Sequence, residues 1–256
     1  MDQQKYEVIV LPDLQAISQA AAERLSQIAL DAVSKRGVFH LVLSGGRTPE
    51  TLYRLLSIPP FSSSLPWPQT QVYWGDERSV SLNSAESNSG QAWRTFLKDV
   101  PVPEDNIHRI SGELEPRLAA EEYCDLLKSF SGQEGEWPRF DLIFLGLGDD
   151  GHTASLFPGP IRQEEKNSLV MAVTADYGDR PPSRITMTPL AINSARNIIF
   201  LVSGSRKAAA LDAALNGPTD LEKWPVQRIR PENGRTVWLV DQDAGQDAGQ
   251  DAWANL

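Results

Sequence analysis

One histidine and two aspartates crowd a single glycine-rich turn, Gly146-Leu147-Gly148-Asp149-Asp150-Gly151-His152. The turn follows the apolar run Phe140 to Leu145, which reads as a strand buried on both faces. A histidine at the carboxyl end of such a strand has the titration range for general acid–base work. Asp149 or Asp150 could orient its ring and stabilise the imidazolium. The same residues also make a plain turn, with an aspartate as cap and His152 incidentally exposed. Taken alone, the turn leaves both readings open.

The three glycines also satisfy G-x-G-x-x-G, the spacing of a dinucleotide-binding turn, and Asp176 lies beyond the next strand where a ribose contact could be imagined. Three features argue against it. Asp149 and Asp150 would face the phosphates with like charge. Pro158 would end any helix begun at Gly151 after about two turns. The fingerprint normally opens a first βα unit, and this one is mid-chain.

A second loop points to a phosphate monoester. Residues 41–56, "LVLSGGRTPETLYRLL", read as a strand, then Ser44-Gly45-Gly46, then Thr48 as N-cap and Pro49 at the first helical position. Glycines let a backbone approach an anion closely, and a helix start supplies free N–H groups and the positive end of the dipole. The alternative here is a capped tight turn. No P-loop spacing is present. For a metal, His40 and His108 show no ligand spacing to His152 and read as structural or surface residues.

These loops need a scaffold, and the chain supplies one. Strands are predicted at 6–11, 38–44, 71–76, 140–148, 168–174, 197–204 and 235–241. Helices are predicted at about 14–35, 49–56, 84–97, 116–130 and 206–215. This βα alternation predicts an α/β fold with a mostly parallel, doubly wound (Rossmann-like) sheet and helices on both faces. No composition break divides it, so one domain is expected over residues 1–240. Residues 241–256, with their Gln-Asp-Ala-Gly repeats, are expected to be a disordered, dispensable acidic tail.

The length of 256 residues suffices for a sizeable core. The net charge of −10, from 24 basic and 34 acidic residues, argues against a nucleic-acid partner but not against a small anion held by a few local cations. No apolar run reaches the ~20 residues of a membrane span, and no signal peptide is read, so a cytoplasmic location is expected. The lone Cys124 fits a reducing compartment and reads as an apolar position of a helix.

The segments "LVLSGGRTPETLY", "VYWGDERSV", "SNSGQAWRTFL", "FDLIFLGLGDDGHTASLFPG" and "RITMTPLAINSARNIIFLVSGSRKAAAL" occur in order, and over about residues 5–240 the chain resembles the glucosamine-6-phosphate isomerase/6-phosphogluconolactonase family, the lactonases in particular. The resemblance implies hydrolysis of 6-phosphoglucono-δ-lactone to 6-phosphogluconate, in the oxidative pentose phosphate pathway, with no metal or organic cofactor. It implies that His152 is the general base, with Asp150, Asp76 and Arg78 at the reaction centre. It implies that Ser44, Gly45, Gly46, Arg47, Thr48, Arg184 and Lys207 hold the phosphate. The expected partner is the phosphosugar lactone alone, with no nucleic acid or membrane, on a monomer or homodimer.

The rival within this resemblance is the glucosamine-6-phosphate deaminase. The deaminases carry "DGHIAFNEPG", with a glutamate five positions after the histidine, and "DEY" in the earlier segment. Here those positions hold Phe157 and Arg78, which favours lactone hydrolysis. Asp76 is common to both. A non-catalytic sugar-phosphate sensor would need an appended DNA-binding segment, and none is visible. The oxyanion donors stay open between N–H groups of the glycine turn and a guanidinium such as Arg78.

Overall fold

The structure, a computed structural model, describes residues 6–130, 138–175 and 180–245. In chain order the elements are β1 (Tyr6–Leu11), α1 (Leu14–Arg36), β2 (Phe39–Leu43), α2 (Arg47–Leu56), α3 (Phe61–Ser64), β3 (Thr70–Trp74), β4 (Asp76–Arg78), α4 (Asn88–Thr95), β5 (Ile107–His108) and α5 (Pro116–Ser129). There follow β6 (Leu142–Gly146), α6 (Glu164–Asn167), β7 (Val170–Thr174), β8 (Ser183–Met187), α7 (Pro189–Ile192), β9 (Asn197–Val202), α8 (Ala208–Leu215), β10 (Arg235–Asp241) and α9 (Gln242–Gly245). Short 3₁₀ turns, among them Ser205–Lys207 and Pro225–Arg228, join several of these.

Seven strands form one parallel sheet in the order β1-β10-β9-β6-β2-β3-β5. The chain reverses its direction of travel across the sheet between β2 and β6, which pair through Leu41 with Leu142 and Val42 with Ile143. A crevice outside the carboxyl ends of the strands opens at such a switch point. The central strands are apolar throughout, and Leu142 to Leu145 of β6 are at most 1% exposed, as a sheet covered on both faces requires. Trp67, Trp74, Tyr53, Phe96, Phe144 and Phe200 are among the large side chains of the core. The long α1 starts at Asp13, whose carboxylate accepts the Ala16 N–H, and stops at Gly37 in the left-handed region at φ 77°.

A second, antiparallel sheet of order β4-β8-β7 differs from the sequence expectation. The run at 71–76 divides at Gly75: β3 stays in the parallel sheet and Asp76 starts β4. Gly75 bridges the two sheets, its N–H donating to Leu43 O and its carbonyl accepting from Met187 N. The strand expected at 168–174 is β7 of this smaller sheet, and β8 was not anticipated as a strand. Its register sets Arg78 opposite Arg184, bringing two sequence-distant guanidinium groups to one place.

Two local expectations are corrected. Helix α2 begins at Arg47 with Gly46 as cap, so Thr48 lies inside the first turn and makes no side-chain cap bond. The cap is set by the backbone of Gly46, at φ 103°, where a side chain is disfavoured. At the other end, the tail does not begin at Asp241: residues 242–245 form the turn α9, and Ala244 is fully buried. Residues 246–256, the rest of the expected disordered tail, and Asp176 lie outside the described residues. No helix among the described residues is long and apolar enough to cross a membrane.

Candidate active site

Four strand ends supply the cleft. After β2 come Ser44 to Thr48, after β3 come Asp76 and Arg78, after β6 comes the glycine turn with His152, and after β9 come Ser203 to Lys207. Together with Asn88, Arg180 and Arg184 they line a cavity of about 400 Å³. Among the described residues six cations face it, Arg47, Arg78, Arg180, Arg184, Arg206 and Lys207, against the carboxylate of Asp76 in its lining. An acidic protein thus holds a locally positive cleft, the arrangement a small anionic ligand needs.

The glycine turn does not open a helix. Residues 149–163 run through turns and one isolated bridge, Thr153 with Leu156. A pyrophosphate would therefore meet no helix dipole here, and the dinucleotide reading fails on structure as well as on charge. The turn closes on itself instead. Gly148 N–H donates to His152 O at 2.7 Å, and Gly151 N–H to Gly148 O at 3.0 Å. Thr153 Oγ1 pins it to the end of β6 through Gly146 O at 2.8 Å.

This closure sorts the two acids. Asp150 Oδ1 lies 2.6 Å from His152 Nδ1 and accepts the His152 backbone N–H at 3.1 Å. Asp149 points the other way and forms an ion pair with Lys207, with Arg206 Nε at 3.6 Å. With Nδ1 committed to a carboxylate, Nε2 is the ring nitrogen on the side away from Asp150. Gly148 has to be glycine, because a Cβ there would fall 2.1 Å from His152 Nδ1 and 2.5 Å from Asp150 Oδ1. Asp150 does not line the cleft; it stands behind the imidazole.

Phe157 packs beside His152, with ring centroids 5.2 Å apart, and the Arg184 guanidinium sits 5.6 Å from the centre of the same ring. Asp76 is buried at 7% exposure and held from two sides. Its Oδ2 accepts from Ser155 Oγ at 2.6 Å, and its Oδ1 from Asn88 Nδ2 at 3.1 Å. Asn88 is placed in turn by Glu77. That carboxylate, 1% exposed, accepts the N–H groups of Arg78, Asn88 and Ser89 and the hydroxyls of Ser87 and Ser89. A buried anion at the start of α4 is satisfied by the free donors of that helix end. Arg78 Nη1 donates to Glu86 O at 2.6 Å.

In the 44–48 loop, two of the N–H groups anticipated for an anion are already engaged. Ser44 N–H donates to Tyr53 Oη at 3.1 Å, and Tyr53 Oη donates back to Ser44 O at 2.5 Å. Burial drives the Tyr53 phenol far above its usual range, so it stays a neutral hydroxyl. Gly46 N–H and C=O are both bound by the Gln91 side chain at 3.1 Å. Other donors of the loop include the Ser44 hydroxyl, whose contact with Gly45 O is long at 3.4 Å, and the first-turn N–H groups of Arg47 and Thr48, which have no intrahelical acceptor.

Gln91, Asn88 and Ser155 were not singled out as site residues by sequence reasoning. Asn88 and Gln91 lie in "SNSGQ" and Ser155 in the His152 turn, but their partners are distant in the chain. His40 and His108 lie away from the cleft on β2 and β5, hydrogen-bonded to Tyr73 Oη and Gln71 Oε1.

A sequence profile described as glucosamine-6-phosphate isomerases/6-phosphogluconolactonase matches residues 12–238. A 6-phosphogluconolactonase of Synechocystis sp. is 38% identical over 242 residues, covering 94% of this chain and 97% of that protein. One from Aggregatibacter actinomycetemcomitans is 34% identical, covering 90% and 96%. The structure of 6-phosphogluconolactonase from Trypanosoma brucei superposes with a TM-score of 0.83 at 26% identity, covering 96% of this chain and all of that one. A monomeric glucosamine-6-phosphate deaminase, at 22% identity and a TM-score of 0.79, shares the fold.

Proposed function

The chain belongs to the glucosamine-6-phosphate isomerase/6-phosphogluconolactonase family and is a lactone-hydrolysing enzyme, and we propose that its substrate is 6-phosphoglucono-δ-lactone, hydrolysed by water with His152 as general base. The observation that carries this reading is the Asp150–His152 contact at the mouth of a cleft whose other wall is the phosphate loop.

The substrate phosphate sits at the start of α2, held by Ser44 Oγ and the first-turn N–H groups of Arg47 and Thr48, with Lys207 and Arg184 supplying charge-assisted bonds. His152 Nε2 takes a proton from water as the oxygen attacks C1, and Asp150 stabilises the imidazolium that forms. The negative charge that develops on the carbonyl oxygen falls to Arg78. The Gly148 and Gly151 N–H groups are spent within their own turn, which removes two of the rival donors. Collapse of the tetrahedral intermediate breaks the bond from C1 to the ring oxygen, and His152 returns its proton to that oxygen. The product is the open-chain hydroxy acid, which releases a proton to solvent to become the carboxylate, and no covalent enzyme intermediate is required.

Phe157 favours lactonase over deaminase chemistry. The position beside His152 is aromatic, so no carboxylate stands there to assist ring opening of an amino sugar. The reducing compartment that suits the lone, buried Cys124 is the cytoplasm, where we place the reaction.

The test is His152→Asn, which keeps size and some hydrogen bonding but cannot take a proton. We expect kcat to fall by about 10²–10⁴-fold with KM nearly unchanged, after subtraction of spontaneous lactone hydrolysis. A variant that keeps most of its kcat removes His152 from the role and makes Asp76 the next candidate.

A further inference from the structure

We propose that Arg228 is a positioning residue for the reaction, fixing the His152 turn from behind the cleft; the inference rests on the reading of His152 as the base. Residues 218–229, between α8 and β10, run along the outer side of that turn and fasten it at both ends. Val226 N–H donates to Gly151 O at 3.0 Å, one residue before His152. Further along, Gly159 N–H donates to Glu222 O at 2.8 Å, and Arg228 Nη2 donates to Gly159 O at 2.8 Å. The Trp224 ring occupies the space beside Gly151: a Cβ there would fall 2.5 Å from Trp224 Cε3.

Arg228 is the latch of this segment. Its side chain is 5% exposed and its Nη1 spans both oxygens of Glu165, itself 3% exposed, at 3.0 and 3.1 Å. Its Nε donates to Leu221 O at 2.7 Å. Neither Arg228 nor Glu165 lines the cleft. A buried ion pair adds little stability over an apolar pair of the same volume, whereas its directional bonds fix geometry. The fork of Arg228 holds one loop to another at a defined distance, which an apolar contact would leave loose.

The same segment reaches the phosphate side. Gln227 Nε2 donates to Ala213 O of α8 at 2.7 Å and to Pro218 O at 3.2 Å, while its Oε1 accepts Asp220 N–H at 2.8 Å. Lys207 stands immediately before α8. One strap thus supports both the base and the helix that follows the phosphate cation. A displacement of about 1 Å at a reacting group can cost a hundredfold in rate, so loosening the strap should register in kcat.

Two variants test this. Arg228→Lys keeps a charge against Glu165 but loses the fork to Gly159 and Leu221. The double variant E165L/R228M replaces the pair by apolar groups and leaves no charge buried. For each, kcat per folded enzyme, KM, Tm and the pH midpoint of kcat are measured beside His152→Asn. We expect kcat to fall at least tenfold in both, KM to stay within about threefold, and the pH midpoint to move as the Asp150–His152 contact loosens. Wild-type kcat and pH midpoint in either folded variant overturn the proposal, even with a lower Tm, because that is the signature of a merely structural pair. Should the double variant fail to fold, Arg228→Lys decides alone. If His152→Asn keeps its kcat, the base reading itself has failed; if it loses kcat while the Arg228 variants do not, only the strap has.

Discussion

Asp150 holds His152 through two bonds from one oxygen, to the ring Nδ1 at 2.6 Å and to the backbone N–H at 3.1 Å. The two residues are separated only by Gly151, so side chain and main chain of the histidine are fixed together. Asp150→Asn should keep the turn but remove the charge that stabilises the imidazolium. A hydrogen bond to a charged group contributes about 1.5–3 kcal/mol, so kcat should fall roughly ten- to hundredfold, less than for His152→Asn. Steady-state kinetics with little change in KM would agree; an unchanged kcat would mean that the carboxylate only shapes the turn.

Asp149 and Lys207 should act in opposite directions. Their ion pair occupies the cation that the substrate phosphate would use, so Asp149→Asn should lower KM. Partly exposed pairs contribute about 0.2–1 kcal/mol, which limits the gain to about fivefold. Lys207→Ala should instead lower kcat/KM by roughly ten- to hundredfold, mainly through KM. Both effects should shrink at high salt. If Asp149→Asn raises KM, the carboxylate orients Lys207 rather than competing for it.

Stability should fall in mild acid through two histidines remote from the cleft. Burial lowers the pKa of both His40 and His108 below the usual 6.5, with further lowering of His108 by His40. The folded state therefore prefers both rings neutral, and the unfolded chain binds more protons. Their contribution is complete above about pH 6.5 and is lost as pH falls through the folded-state values. The Tm should decline over that window, and His108→Gln should flatten the decline while leaving the pH profile of kcat in place. A Tm independent of pH between about 7 and 5 would refute the assignment.

Removing α9 should matter. Asp241 Oδ1 accepts Ala244 N–H at 2.8 Å, and the same carboxylate accepts Gly204 N–H and, at 2.5 Å, Ser203 Oγ. Truncation after Asp241 exposes that carboxylate and the Ala244 site, costing about 1–2 kcal/mol, or roughly 2–8 °C in Tm. Because Ser203 and Gly204 lead into the Lys207 turn, KM should rise as well. Truncation after Gly245 is the reference, and equal Tm and KM in the two truncations would show that α9 contributes nothing.

Six of the seven parallel strands were legible because they are apolar runs of β-rich residues and the helices carry the longer period, each a property of neighbouring residues; β5, only Ile107–His108, carries no such run. The smaller sheet was not. Its β4 is three residues long, follows β3 after a single glycine, and exists by pairing with residues over a hundred positions away. The composition of the cleft was legible where one loop held several informative residues together. The choice between Asp149 and Asp150 was not, since adjacent identical residues differ only in where the closed turn aims them. Gln91 and Ser155 were hidden for a related reason: an amide or a hydroxyl carries no signal until its distant partner is known. Thr48 was misread as a cap because a cap is defined by backbone dihedrals, and those belong to Gly46.

The position of β1 has a consequence for how the chain is made. Among the described residues it lies at the sheet edge and pairs in register with β10 alone, the last of the described strands, which inserts between β1 and β9. While the chain emerges from the ribosome, β2, β3, β5, β6 and β9 can assemble in order, each beside a strand already present. Strand β1 has no place to dock until residues 235–241 have been synthesised. Among the described strands, the earliest to be synthesised is therefore the last to enter the sheet, because its docking edge exists only once residues 235–241 are in place.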